Sequence, residues 1–432
     1  MKNNKRNTLI WRRLDNSAKI FPLSTGKKYS AVFRISAILK EDIKPDILKQ
    51  AVIETLDKYE SFKVKLKKGF FWHYLESNNK KPIIEEERDY PCKYIDISLN
   101  GGYLFKVTYF KNKINIDIFH ALTDGNSGTT FFREIIYTYL ELCNPENLKK
   151  ENRTLRKIEY NTEDSYIKNY DKKAKSNSSG DRAYKLNGKK ISLGAISVIH
   201  QIIDLEQLKK ESNKYGTTIT QYLTAVLLYS IYNENYKKHN GKKPIKLCIP
   251  VNLKKYFPSK TISNFFSYIT LSANMRENKL NTFDDMIEFV KNQFNEQLNE
   301  KEIIKTMSNN VKLGNNFFIK IIPLILKIII VRLAYLEIRR YSTITYSNIG
   351  RIGIIGDYKN YIDYFLMAIA PDSFERMKCS SCTFENKMVF TFASILNDNR
   401  IEKGFYTFLK DRNINVEIES NGILDDISKE NK

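Results

Sequence analysis

The chain has 432 residues, 42% of them hydrophobic and 12% aromatic, which excludes a disordered chain and leaves room for two domains with separate cores. Its 71 Lys and Arg against 49 Asp and Glu give a formal net charge of +22, a balance that suits a phosphate-bearing ligand, an anionic membrane or nucleic acid. No Arg-rich block interleaved with aromatics marks a nucleic-acid module, residues 1–20 lack the apolar core of a secretory signal, and an odd count of five cysteines fits free thiols in the cytoplasm.

Alternation over 29–39, with Arg34 at its middle, predicts a strand, and Pro45 opens a helix to about residue 59 with Leu48, Val52, Leu56 and Tyr59 on one face. Residues 62–66 and 70–75 predict a hairpin across Lys67-Lys68-Gly69, and 76–100 reads as loop. A second hairpin joins 103–110 to 114–119. In its second strand Ile114, Ile116 and Ile118 alternate with Asn115, Asp117 and Phe119, the pattern of one buried face. His120 keeps the isoleucine parity, so its ring should point inward. After the turn Gly125-Asn126-Ser127-Gly128, Phe131, Phe132, Ile135, Ile136, Tyr139 and Leu140 fall at helical spacing. A strand end fixes an imidazole and the following turn, with Asp124 in it, leaves room for substrate, which is a good setting for a general base.

From 144 to 190 the chain turns polar and charged, weakest at Ser176-Asn177-Ser178-Ser179-Gly180, which divides it into a unit at 1–150, a linker at 151–190 and a second unit at 191–432. The second unit opens on a strand at 196–203 and a short helix at 205–215. A longer helix follows, with Thr218 and Gln221 spaced as a capping box. Strands are predicted at 245–251, 264–271, 343–348, 361–368, 380–384 and 388–393, and helices from Thr282 to about 298 and over 402–411. The most apolar stretch, 317–336, contains Lys320, Pro323, Lys327 and Arg332, so a buried or groove-covering helix is preferred to a membrane span, with weak membrane-surface contact as the alternative. Cys379 and Cys382 have CxxC spacing without a second ligand pair, so no metal site is expected. His73, His200 and His239 read as packing, structural and loop residues.

The run Phe119-His120-Ala121-Leu122-Thr123-Asp124-Gly125 resembles the HxxxDG signature of the chloramphenicol-acetyltransferase-like superfamily, which includes condensation domains and alcohol acetyltransferases. Three further pieces resemble the alcohol acetyltransferase branch in order: residues 69–76, then 250–255 with Asn264-Phe265-Phe266, and Ser347-Asn348-Ile349-Gly350. The resemblance implies an α+β fold of two chloramphenicol-acetyltransferase-like mixed-sheet subdomains, a pseudo-dimer with a tunnel between them and the histidine midway. It implies His120 as general base, with Asp124 and Gly125 structural and a basic side chain, Arg34 or Lys254, holding Asp124. Candidate oxyanion or substrate contacts are Asn126, Ser127, Ser347 and Asn348.

The implied activity is transfer of an acyl group, acetyl first, from acyl-CoA to a small or lipid-like alcohol, with acyl-CoA as co-substrate and no permanent cofactor. A thioester brings its own leaving group, so one base suffices and no Ser or Cys nucleophile is required. Two other readings stay open: a condensation-type enzyme taking its acyl group from a carrier protein, and a non-catalytic basic binding protein.

Overall fold

The computed structural model describes residues 11–27, 29–148, 161–174, 180–191 and 195–424. In chain order the strands are β1 (Trp11–Arg13), β2 (Val32–Leu39), β3 (Val64–Lys68), β4 (His73–Ser77), β5 (Ile84–Glu86), β6 (Phe105–Phe110), β7 (Lys113–Phe119), β8 (Ser197–Asp204), β9 (Ile245–Asn252), β10 (Phe266–Ala273), β11 (Ile344–Arg351), β12 (Ile362–Ile369), β13 (Met377–Phe384), β14 (Lys387–Ser394) and β15 (Val416–Ser420). They form a five-stranded sheet of order β12-β2-β7-β6-β5, a seven-stranded sheet of order β10-β9-β11-β13-β14-β8-β15, and a small sheet β1-β4-β3. Both large sheets are mixed. β5 runs parallel to β6, β11 runs parallel to β9 and β13, and the remaining neighbours are antiparallel.

The strand before His120 departs from the expected one-sided pattern. Ile114, Ile116 and Ile118 are fully buried, but so are Asn115 and Asp117 on the other face. Asp117 accepts from Arg34 Nε (2.9 Å) and Nη2 (2.6 Å), and Asn115 Oδ1 accepts from Ser36 Oγ at 2.7 Å. Buried polar groups survive because they satisfy one another. On the apolar face the helix Gly125–Cys143 packs so closely that a Cβ on Gly128 would sit 2.9 Å from Ile118 Cδ1 and 3.0 Å from Phe33 Cζ.

β12 comes from the last third of the chain yet completes the first sheet, with Phe365 opposite Ala37 of β2. Ser380 and Cys382 of β13 donate to the carbonyls of Met367 (2.6 Å) and Phe365 (3.1 Å) of β12, which ties the edge of one sheet to the middle of the other. Cys379 and Cys382 point to opposite faces, as residues three apart on a strand must. Cys379 lies in the core of the second sheet and Cys382 in that of the first.

Short edge strands β5 and β15 and the helix Glu300–Asn315 carry no strong pattern and were not foreseen. The linker's Ser176-Asn177-Ser178-Ser179 lies outside the described residues, and a short helix, Ser165–Asn169, falls within the expected linker. The stretch 317–336 breaks at Pro323 into Phe317–Ile321 and Leu324–Ile338. Of the expected buried or groove-covering helix, full burial does not hold: Lys327 faces inward while Ile325, Leu326, Ile329, Ile330 and Leu333 face out. No helix of the described residues is long and apolar enough to cross a membrane.

Candidate active site

His120 follows β7 directly, and its N–H donates to the Ala31 carbonyl at 3.0 Å, which holds the backbone to β2's end. The ring is flanked by Phe21, Phe33 and Phe266, with centroids 4.9, 4.8 and 5.7 Å away. Its Nδ1 lies 3.2 Å from Oδ1 of Asn264. The neighbouring bonds assign the proton. Asn264 Nδ2 donates to Asp15 Oδ2 and to the His120 carbonyl, both at 3.0 Å, so the atom left facing the imidazole is a carbonyl oxygen, which can only accept. Nδ1 therefore carries the hydrogen and Nε2 holds the lone pair.

Electrostatics keep that lone pair available. Burial lowers the His120 pKa; the bond to Asn264 and the charge of Asp124 oppose this, and Lys378 adds to the lowering. Asp15 also accepts from the backbone of Ala18 (2.7 Å) and Asn264 (3.1 Å), and burial pushes its carboxyl up to about 6 against those donors.

The motif is stitched to the segment ahead of β10. Thr123 Oγ1 donates to the Ile262 carbonyl at 2.5 Å, and the Phe265 N–H donates to Asp124 Oδ2 at 3.0 Å. The other Asp124 oxygen caps the helix Gly125–Cys143 by accepting from Ser127 N–H at 2.9 Å. Asp124 is thus held by two backbone amides. Neither expected basic partner reaches it: Arg34 is engaged by Asp117 and Glu87, and Lys254 Nζ donates to Ser127 Oγ at 2.8 Å. At Gly125 a Cβ would lie 3.3 Å from Ile349 Cγ2, so glycine allows β11 to approach the helix start.

A cavity of about 350 Å³ opens beside the His120 ring, walled by both large sheets: Val32 and Phe33 from the first, Pro250, Phe266 and Ser347 from the second. Of the candidate contacts, Asn126, Ser347 and Asn348 line it, whereas Ser127 does not. The Asn348 amide is already committed, donating to Thr220 Oγ1 (2.9 Å) and accepting from Gly350 N–H (2.8 Å). Cys248 also lines the cavity, but burial pushes its thiol up to about 12, which makes it a poor nucleophile. The matching piece 69–76 lies elsewhere, at the tip of the β3–β4 hairpin and in β4.

Sequence reasoning missed Asp15, Tyr29, Tyr335 and Lys378, and it gave no role to Asn264. Tyr335 donates its hydroxyl proton to Tyr29 at 2.5 Å on the cavity wall, and Lys378 reaches the cavity while paired with Glu375 at 3.2 Å. None sits in a local pattern; Asn264 is 144 positions from His120, and only the fold joins them. His200 is structural, with Nδ1 2.8 Å from Thr391 Oγ1. Among the described residues no cluster of three His, Cys, Asp or Glu could hold a metal.

Two mixed sheets with a histidine-bearing cavity between them are the architecture that the resemblance implied. Residues 169–351, less than half of the chain, match the sequence model of the family described as alcohol acetyltransferase, a span that leaves the HxxxDG run outside. No curated protein matches the sequence. Among solved structures, the chain is similar to the TRI3 trichothecene 15-O-acetyltransferase of Fusarium sporotrichioides (8% identity, 94% of each chain, TM-score 0.62). It is also similar to F. graminearum TRI101 complexed with coenzyme A and deoxynivalenol (12% identity, 91% of this chain and 96% of that one, TM-score 0.60). A third similar structure is the starter condensation domain of rhizomide synthetase RzmA in complex with C8-CoA (8% identity, 89% of each chain, TM-score 0.56).

Proposed function

We propose that this chain is an O-acyltransferase that moves an acyl group, acetyl in the first instance, from acyl-CoA to an alcohol hydroxyl, with His120 Nε2 as general base. The observation that carries the reading is the anchored Nδ1: the bond to Asn264 makes Nε2 the basic nitrogen of a ring that lines a cavity walled by both sheets. The family match over 169–351 and the coenzyme A and C8-CoA complexes of similar structures support a CoA thioester as donor.

In the proposed reaction Nε2 takes the hydroxyl proton as the alcohol oxygen attacks the thioester carbonyl carbon. The tetrahedral intermediate collapses, the C–S bond breaks, and the imidazolium returns its proton to the leaving thiolate. Base catalysis of this kind is worth ~10²- to 10⁴-fold. Ser347 and the amides at the start of the helix Gly125–Cys143, near Asn126, are the candidate donors to the oxyanion, where the helix's partial positive charge helps. Asp124 and Gly125 shape the backbone around the base.

The test is transfer from acetyl-CoA to a panel of alcohols of rising size, compared with transfer from an acylated carrier protein. Wild type should turn over the CoA donor, and His120→Ala should lose at least about 100-fold while melting normally. Near wild-type turnover by His120→Ala would overturn the reading, and so would use of the carrier donor alone.

A further inference from the structure

The helix Leu324–Ile338 is packed the wrong way round for a helix of a water-soluble surface. Its cation Lys327 is buried, with Nζ 3.6 Å from the Trp72 ring centroid and donating to the Phe71 carbonyl at 2.8 Å. Burial lowers that ammonium to about 8. The opposite arc carries Ile325, Leu326, Ile329, Ile330, Leu333 and Leu336, each between 43% and 76% exposed. The β3–β4 hairpin tip extends this surface: Phe70 is 73% and Phe71 42% exposed, and the Phe70 carbonyl accepts from Leu324 N–H at 2.9 Å. Large apolar side chains left exposed together in this way on a folded protein mark an interaction site.

Charge selects the occupant. Lys67 and Lys68 precede the hairpin tip, Lys320 precedes the helix, and Arg332 sits at the edge of the arc. Lys67, Lys68, Lys80 and Arg332 converge on a cavity of about 490 Å³ alongside Ile328 of the same helix. The helix's one acidic residue, Glu337, is paired with Arg182 and Arg340. A second copy of a chain carrying +22 would bring two positive rims together, and nucleic acid offers phosphates but no apolar phase. An anionic bilayer surface offers both headgroup phosphates and hydrocarbon.

We infer that the outer arc of Leu324–Ile338 and the Phe70-Phe71 tip dock this protein on an anionic lipid surface, with Lys67, Lys68 and Lys80 meeting the headgroups. Fifteen residues at 1.5 Å each give a helix that lies in the interface and is too short to span it. The inner face of the helix supplies Tyr335 to the wall of the His120 cavity, so docking sets that cavity next to the bilayer. The acceptor, on the proposed transferase reading, is then a hydroxyl on a membrane-partitioned molecule.

The test is co-sedimentation of the full chain with phosphatidylcholine vesicles, with and without about 30% phosphatidylserine, at low and high salt. Wild type should bind the phosphatidylserine vesicles at least about tenfold more tightly than the neutral ones, and salt should weaken it. The double variant Ile329→Asp/Leu333→Asp, and separately Phe70→Asp on the hairpin, should lose about tenfold or more on the same vesicles, and Lys67→Glu/Lys68→Glu should lose the preference for phosphatidylserine. None of these positions lines the His120 cavity, so transfer to a short soluble alcohol stays at the wild-type rate and reports that each variant is folded. Wild type that ignores both vesicle types overturns the inference, as does full binding by the outer-arc variants. A soluble dimer that Ile329→Asp/Leu333→Asp dissociates would show a second copy as the occupant and overturn it too. Vesicle binding is read without turnover, so its failure and a failure of acyl transfer are separate results.

Discussion

Asn264 Oδ1 accepts the Nδ1 proton of His120 across 3.2 Å, and the same carboxamide donates to the His120 carbonyl and to Asp15. One amide therefore fixes both the tautomer and the backbone position of the proposed base. Asn264→Ala should reduce kcat about tenfold, the worth of one buried hydrogen bond, with KM for the acyl donor little changed. Steady-state kinetics with acetyl-CoA separate the two constants. A raised KM with unchanged kcat would show that Asn264 acts on binding and not on the imidazole.

The pH profile follows from the same surroundings. Burial lowers the His120 pKa below the ordinary 6.5, and the active form of a general base is the neutral one. Activity should therefore persist as pH falls through 6.5, and kcat/KM should drop only below it. Asp15, pushed up to about 6, titrates on the acid side of that value as well, so the observed midpoint belongs to the Asp15–Asn264–His120 chain as a whole. A midpoint above 6.5 would contradict the buried, neutral imidazole.

Glu402, in the first turn of the helix Arg400–Lys410, is 3% exposed, and its Oε2 has no hydrogen-bond partner among the described residues. Burial pushes its pKa from 4.5 to about 8. Between those values the folded chain holds a proton that the unfolded chain has released, so stability falls as pH rises from 4.5 to 8 and is level above. Glu402→Gln removes this dependence. Its melting temperature should match wild type near about pH 4 and exceed it increasingly up to about pH 8, where the gain is on the order of 5 kcal/mol. Thermal melts across that range measure the difference.

The sequence shows what repeats locally. Alternating isoleucines place His120 at a strand end, and the stripe from Phe131 to Leu140 is the helix that follows. Thr218 and Gln221 form the capping box their spacing suggests. What the letters do not show is pairing across the chain. Nothing near Asp117 says that Arg34 will reach it, so from the letters Arg34 stands beside Lys254 as a candidate partner of Asp124 instead. The helix Leu324–Ile338 misled for a different reason: it is apolar all round, so its composition could not say which arc faces the protein, and only Lys327 packed on Trp72 decides it.

Asp124 offers a sharp test of a structural aspartate beside a base. Both of its oxygens accept backbone hydrogens, one from Ser127 at the helix start and one from Phe265, the residue after Asn264. A carboxamide at this position must turn its NH₂ toward one of those N–H groups, so Asp124→Asn leaves a buried donor facing a donor. The expected loss is about 1–3 kcal/mol of stability. Because the Phe265 bond positions the segment that carries Asn264, kcat should fall in the same variant. Thermal unfolding followed by circular dichroism, together with steady-state kinetics, reads both effects. An Asp124→Asn protein that melts like wild type but has lost transfer would mean that this carboxylate acts on the reacting atoms, and the role assigned to it here would have to be withdrawn.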